Sequence, residues 1–367
     1  MDLTVLEGPN FSGRSSRLRA WAGLAEKVGA EPLEHGDAYV APDPIDSLSG
    51  LAPTVSAELE LAAADDAALT AVRRALEELG FGYTLPRNPF TLSGGEQTVV
   101  AVLAAAAGRP RRLAIDSTLE QLAAPTRAGL LAWLSGWDGR LMLADNRLDE
   151  WYTGSTDRLD PAPDAPVMRP DISGGDFLPA PHIEIRNLHF SYPGGQSVFN
   201  GFDLTLEAGK SYQLRGANGV GKSTLSKILC GLLKPVRGEI LVDGIRTQPW
   251  RAPGRLVSYH FQNPSLQLFS RTVENELARS FNATATAARF GLDGDVGNHP
   301  LDLPFVLRKR LALAAAIDRP TPFLILDEPS LGQDSEAFAA ISELVRYRGG
   351  LTITHSQRGW CESTIDL

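Results

Sequence analysis

"GANGVGKST", residues 216–224, decides the fold of the half of the chain in which it stands. It follows "SYQLR" and precedes "LSKILCGLL", so it reads as strand, glycine-bounded turn and helix, matching G-x-x-x-x-G-K-[ST] at every position. Gly216, Asn218, Gly219 and Gly221 make a turn whose backbone N–H groups curl around phosphate oxygens, and the two bounding glycines avoid a Cβ clash there. The helix N-terminus adds unpaired donors and partial positive charge. Lys222 supplies a full charge to the outer phosphates, Ser223 an oxygen for Mg²⁺, and Thr224 a contact to the inner phosphate. The pattern calls for ATP with Mg²⁺.

A second stretch completes this chemistry. "FLILDEP" (323–329) is an apolar strand that delivers two carboxylates at its end. Asp327 is placed to hold Mg²⁺, directly or through water, and Glu328 to orient and deprotonate an attacking water.

With these go "YHFQNPSLQLF" (259–269), "LDEPSLGQD" (326–334) and "TITHS" (352–356). The set resembles the Q-loop, Walker B with D-loop, and H-loop of ABC-type ATPases, and it covers essentially the whole second half. The wording is most similar to energy-coupling-factor and cobalt-type importer ATPases. The resemblance implies that Gln262 touches Mg²⁺ and couples the γ-phosphate to movement of a partner. By the same resemblance, Asp334 communicates across a dimer, His355 holds the γ-phosphate and Tyr192 in "FSYPGG" stacks on adenine. One family element is missing. Where the signature LSGGQ or LSGGE belongs, this half has "LPFVL" (303–307), which cannot present phosphate-binding donors in the usual way. The run Arg308, Lys309, Arg310 behind it reads as a solvated helix face.

The remainder of the sequence has the same rhythm. "VLEGPNFSGRSSRLRAW" (5–21) echoes the phosphate loop, "APTVSAELEL" (52–61) echoes "SRTVENELAR" (270–279), "RRLAIDST" (111–118) echoes "PFLILDEP" (322–329), and "GRLMLADN" (139–146) echoes "GGLTITHS" (349–356). Between Tyr152 and His182 the composition turns to proline, glycine and aspartate without periodicity, as in a linker. The expected organisation is therefore two α/β P-loop units with mainly parallel sheets, at 1–152 and 182–367, joined by 153–181. The second also carries "IEIRNLHFSYPGGQSVFNGFDLTLEAG" (183–209), read as added antiparallel strands. The first is a shortened copy.

Its motifs are worn in a complementary way. Arg14 stands for the lysine, and a planar fork is no equivalent of a point charge. Ser117 stands for the catalytic carboxylate, Asn146 for the histidine and Pro42 for the glutamine. Yet "TLSGGEQ" (91–97) is an intact signature. Ser93, Gly94, Gly95 and Glu96 also form a capping box, so the same residues open a helix and present an anion-seeking terminus.

Composition narrows the function classes. The chain of 367 residues carries a formal charge of −9, which gives no strong nucleic-acid signal. Its two cysteines, Cys230 and Cys361, lack a metal or redox spacing. No apolar run reaches the ~18 residues that span a bilayer, and the N-terminus lacks the pattern of a signal peptide. The expectation is a cytoplasmic ATPase, peripheral on the membrane, in which the second half's Walker motifs and the first half's signature make one composite site, within a chain or between two. The resemblance implies integral-membrane partners and import of a vitamin or transition-metal ion. A soluble ABC switch on a nucleic-acid or protein complex, and a nucleotide sensor without turnover, remain open alternatives.

Overall fold

The computed structural model describes residues 2–22, 36–146, 156–160, 162–163, 165–169, 179–194, 197–216, 220–354 and 361–367. Its contacts divide the chain into two units: residues 1–165 with Gly332–Ser335, and residues 166–331 with 336–367.

In unit 1 the chain runs β1 (Asp2–Glu7), α1 (Arg14–Trp21), β2 (Asp37–Val40), α2 (Val55–Ala62), α3 (Asp66–Glu78), α4 (Gly94–Ala107), β3 (Arg112–Asp116), α5 (Ala124–Ser135), β4 (Arg140–Asp145) and β5 (Asp157–Arg158). The strands form one parallel sheet in the order β2-β3-β4-β1-β5. Helix α4 is the core element. The Ser93 capping box starts it, an alanine run carries it, and its side chains from Gln97 to Leu103 are buried on all sides. A helix apolar all round belongs inside a layer rather than on its surface. Each fully buried Val or Leu stabilises by about 1.5–3 kcal/mol.

Strand β5 falls in the stretch read as linker. Asp157 and Arg158 lie beside Leu6 and Glu7 of β1, and Thr156 Oγ1 donates to Glu7 Oε2 at 3.0 Å. An edge strand pairs through its backbone, so its exposed polar side chains left no apolar pattern to read.

Unit 2 contains β6 (Ile183–Ser191), β7 (Ser197–Leu206), β8 (Ser211–Arg215), α6 (Lys222–Leu229), β9 (Arg237–Val242), β10 (Ile245–Thr247), β11 (Val257–His260), α7 (Val273–Leu277), α8 (Ala283–Arg289), α9 (Phe305–Ile317), β12 (Phe323–Asp327), α10 (Ser335–Arg348), β13 (Gly350–Ile353) and β14 (Ser363–Asp366). Its parallel sheet runs β11-β12-β13-β8-β14, the order found in unit 1, strand for strand. A separate antiparallel sheet, β10-β9-β6-β7, has no counterpart among the described residues of unit 1. The α/β, mainly parallel fold with an added antiparallel sheet is thus as the sequence predicts. Each echo falls on equivalent elements: β1 with β8, α2 with α7, β3 with β12, β4 with β13.

The basic run 308–310 is not a solvated face. Lys309 and Arg310 are 1% and 2% exposed, and their nitrogens donate to the carbonyls of Gln262 and Pro166. Long stems cross the packed helix layer and their heads satisfy loop carbonyls, an outcome that charge alone does not reveal. Behind α9, Asp318 accepts from Thr286 Oγ1 at 2.7 Å and pairs with buried Arg289. Arg348 donates to the carbonyls of Arg319 and Thr321 at 2.7 and 2.8 Å. Asp318→Ala would remove the buried carboxylate that Arg289 pairs with and is expected to cost unit 2 about 3–5 kcal/mol, read as a lowered urea midpoint.

Candidate functional site

In each unit the chemistry-bearing residues sit at the carboxyl ends of the parallel strands, where open α/β sheets place their ligands. In unit 2, β8 leads into Gly216, β11 precedes Gln262, β12 ends in Asp327 with Glu328 next, and β13 runs into Thr354. Gly216 has φ +148°, and a Cβ there would lie 2.9 Å from the Leu367 carbonyl oxygen. Gly221, at φ +118°, starts α6 without any side-chain cap, so the first-turn N–H groups of that helix stay uncapped. Lys222 is buried and its Nζ donates to the Gly216 carbonyl at 2.8 Å. Burial lowers its pKa, against the opposing pull of the Glu328 and Asp327 carboxylates. Ser223 is exposed beside it. The Tyr192 hydroxyl and Thr224 Oγ1 are 3.1 Å apart, and the Tyr192 ring, 41% exposed, meets Phe190 edge-on.

Asp327 receives a hydrogen bond on Oδ2 from the Tyr259 hydroxyl at 2.8 Å. Desolvation raises its pKa, with Tyr259, Lys309, Lys222 and Lys227 acting the other way. Glu328 has a left-handed backbone, φ +47°, rare for a residue with a Cβ. Its N–H donates to the Ile353 carbonyl at 2.8 Å, and its Oε2 accepts from Thr354 Oγ1 at 2.9 Å. Asn218, Gly219 and His355 lie outside the described residues.

Unit 1 repeats this frame with other side chains. Ser117, at φ +52°, donates its N–H to the Ala144 carbonyl at 2.7 Å, as Glu328 does to Ile353. The Tyr39 hydroxyl donates to Asp116 Oδ2 at 2.8 Å, as Tyr259 does to Asp327. Arg14 does not copy Lys222: its NH2 donates to Asn146 Oδ1, so the two replacements bond to each other.

The signature residues also belong to unit 1. Ser93 caps α4, with Ser93 N–H donating to Glu96 Oε2 at 2.6 Å and Glu96 N–H meeting Ser93 Oγ at 3.5 Å. Gly94 and Gly95 are half-buried, and a Cβ on Gly95 would lie 3.4 Å from the Gln121 carbonyl oxygen. At the equivalent start of α9, Pro304 makes no side-chain cap. Asp334, read as part of the second half, packs in unit 1 with its neighbours. Its Oδ2 accepts from Asn10 N–H at 3.0 Å, and Gly332 N–H donates to Glu120.

The sequence did not mark Tyr259 or Thr354 as site residues, and it placed Lys309 on a solvated face that the fold buries. A signal for the first was present, because "YVAPDP" and "YHFQNP" place a tyrosine three residues before Pro42 and before Gln262.

These arrangements define a nucleotide-binding α/β unit of the P-loop kind, and similarity to known proteins agrees. The ABC transporter family profile matches residues 199–331. An uncharacterized ABC transporter ATP-binding protein of Mycobacterium tuberculosis is 30% identical over 330 residues, 81% of this chain and 47% of that protein. An ABC transporter ATP-binding protein of Pyrococcus furiosus is 32% identical over 177 residues, 44% of this chain and 68% of that protein. The energy-coupling factor transporter ATP-binding protein EcfA of Methanothermobacter thermautotrophicus is 32% identical over 189 residues, 47% of this chain and 61% of that protein. A chain from the crystal structure of archaeal ribosomal stalk protein aP1 with archaeal ribosome recycling factor aABCE1 shares the fold over 96% of this chain and 80% of that one, at TM-score 0.57 and 18% identity. The chain belongs to the ABC transporter ATP-binding protein family, a family of ATPases. It spans about half the length of the mycobacterial relative, 47%.

Burial alone would raise the Glu96 pKa, yet the Tyr83 hydroxyl, the Ser93 amide and hydroxyl and the Arg87 charge together hold it below its ordinary value. A depressed carboxylate contributes stability that is complete above the unfolded pKa and lost as pH falls through the folded one. Glu96→Gln is therefore expected to narrow the gap between unfolding midpoints measured at about pH 7 and about pH 3.

Proposed function

We propose that this chain is the ATP-binding subunit of a membrane importer for a micronutrient, a vitamin or transition-metal ion, hydrolysing ATP at one composite site. The observation that carries the reading is the complementary loss between the two copies. Unit 2 keeps Lys222, Asp327 and Glu328 but opens α9 with Pro304, whereas unit 1 keeps the capped Ser93–Glu96 signature but has Arg14, Ser117 and Asn146. Unselected decay would scatter losses over both sites. Here every intact part is one that a single head-to-tail site needs, formed within one chain or between two.

In this reading the Gly216–Thr224 turn and Lys222 bind the triphosphate, Tyr192 stacks on adenine and His355 holds the γ-phosphate. Ser93, Gly94 and Gly95 close over the same phosphate from the other copy, Glu96 holds that terminus in shape, and Asp334 links the copies. Ser223, the Gln262 amide and Asp327 are hard oxygen donors of the kind Mg²⁺ takes, and Oδ1 of Asp327 has no hydrogen-bond partner among the described residues. Bound Mg²⁺ supplies charge neutralisation between the phosphate oxygens. Glu328, oriented by Thr354 and its own strained backbone, aims at the attacking water. Positioning and preorganised charge supply most of the rate.

A surface feature supports a protein partner. A cleft of about 660 Å³ beside the Gln262 loop is lined by Leu232, Leu266, Phe269 and Arg279. Leu266 and Phe269 are 61% and 83% exposed. Such apolar exposure at the Gln262 loop fits a cytoplasmic segment of a membrane subunit, and EcfA, a transporter subunit by name, supports the same class. No helix among the described residues is long and apolar enough to cross a membrane.

Glu328→Gln and Ser93→Arg are each expected to lower ATP turnover by about 10²-fold or more, while Arg14→Ala and Asn146→Ala leave it nearly intact. Equal loss from the Arg14 and Asn146 changes in a phosphate-release assay would show that a second site also turns over. Phe269→Asp is expected to abolish co-purification with membrane subunits from gently solubilised membranes without changing basal hydrolysis. Consistent recovery of the wild type in the soluble fraction with RNA or DNA would replace the importer by a soluble switch.

A further inference from the structure

We infer that Tyr259 is a positioning residue for the metal-holding carboxylate, acting through Asp327. This rests on the reading of Asp327 given above and adds to it a group to which the sequence assigned no role. Tyr259 stands on β11, next to β12 in the sheet, paired in register with Ile325 two residues before Asp327. Its hydroxyl reaches across to Asp327 Oδ2 at 2.8 Å, and its ring is fixed by an edge-on contact with Phe261, centroids 4.5 Å apart. One carboxylate oxygen is thereby tied to a rigid strand while Oδ1 is left for the ion or its water. Carboxylates that hold metals depend on such partners for their orientation.

The same strand leads within three residues to Gln262, whose carbonyl takes the Lys309 ammonium. β11 therefore orients the Asp327 carboxylate and leads into a loop whose Gln262 carbonyl is held from α9.

The molecule contains its own control. Tyr39 makes the same 2.8 Å bond to Asp116 at the same place in unit 1. There the following residue is Ser117, the glutamine position is Pro42, and Arg14 is bonded to Asn146. The pair survives in a copy that lacks the groups for metal-assisted hydrolysis, so a purely structural role for the tyrosine would be shared by both copies. A role in metal binding belongs to Tyr259 alone.

Mn²⁺ binding to the full chain, followed by electron paramagnetic resonance with a non-hydrolysable ATP analogue, tests this. Tyr259→Phe is expected to weaken Mn²⁺ about 10-fold or more. Analogue affinity in EDTA and the melting temperature should move little, and Tyr39→Phe should leave Mn²⁺ affinity unchanged. Asp327→Ala separates the two layers of the argument. Unchanged Mn²⁺ affinity in Asp327→Ala overturns the reading of that carboxylate and the inference with it. Loss in Asp327→Ala with Tyr259→Phe inside twofold of wild type overturns the inference alone, as does an equal loss in Tyr39→Phe.

Discussion

The left-handed turn at the end of β12 is the constraint on which the unit 2 site depends. Glu328 occupies φ +47°, and its N–H is pinned to the Ile353 carbonyl. That conformation costs of order 1–3 kcal/mol for a residue with a Cβ and persists only where the surroundings determine it. Here the pin closes the gap between β12 and β13, so the same bond that ends the strand pairing also points the carboxylate at Thr354. Ser117 repeats both the conformation and the bond, at φ +52° to Ala144. The same backbone device is therefore present with a serine in unit 1 and a carboxylate in unit 2. What distinguishes the two units at this point is a side chain and not the backbone.

This explains why the sequence was informative about architecture. Strand ends, glycine turns and helix starts are local requirements, and both copies meet them with recognisable residue types: "RRLAIDST" and "PFLILDEP" end in Asp, "TVSAEL" and "TVENEL" each open with a threonine cap. The capping box at Ser93 was legible for the same reason, since both of its bonds lie within four residues. Contacts distant in sequence were not. Nothing local tells that Lys309 and Arg310 run inward to the carbonyls of Gln262 and Pro166, because an isolated basic residue on a helix is more often solvated. The Asp116–Tyr39 and Asp327–Tyr259 bonds likewise span 77 and 68 residues. Strand β5 escaped because an edge pair carries no apolar alternation.

The turn of unit 1 that corresponds to the Gly216–Lys222 turn carries an arginine, and the two basic side chains are held differently. Lys222 donates its ammonium to a loop carbonyl, a neutral acceptor. Arg14 is equally buried, but a guanidinium brings several fixed donors into the fold. Asn146, at the end of β4, supplies an amide oxygen for one of them. A histidine there could serve this bond only through one ring nitrogen in one tautomer, while an asparagine oxygen accepts without restriction. The two residues are therefore coupled: one Arg14 nitrogen finds its acceptor in Asn146, while the other terminal nitrogen of Arg14 and the Asn146 amide nitrogen are buried without a hydrogen-bond partner among the described residues. In the sequence the two positions stand apart; in the fold they are partners, and replacing either one alone removes the bond that the other makes.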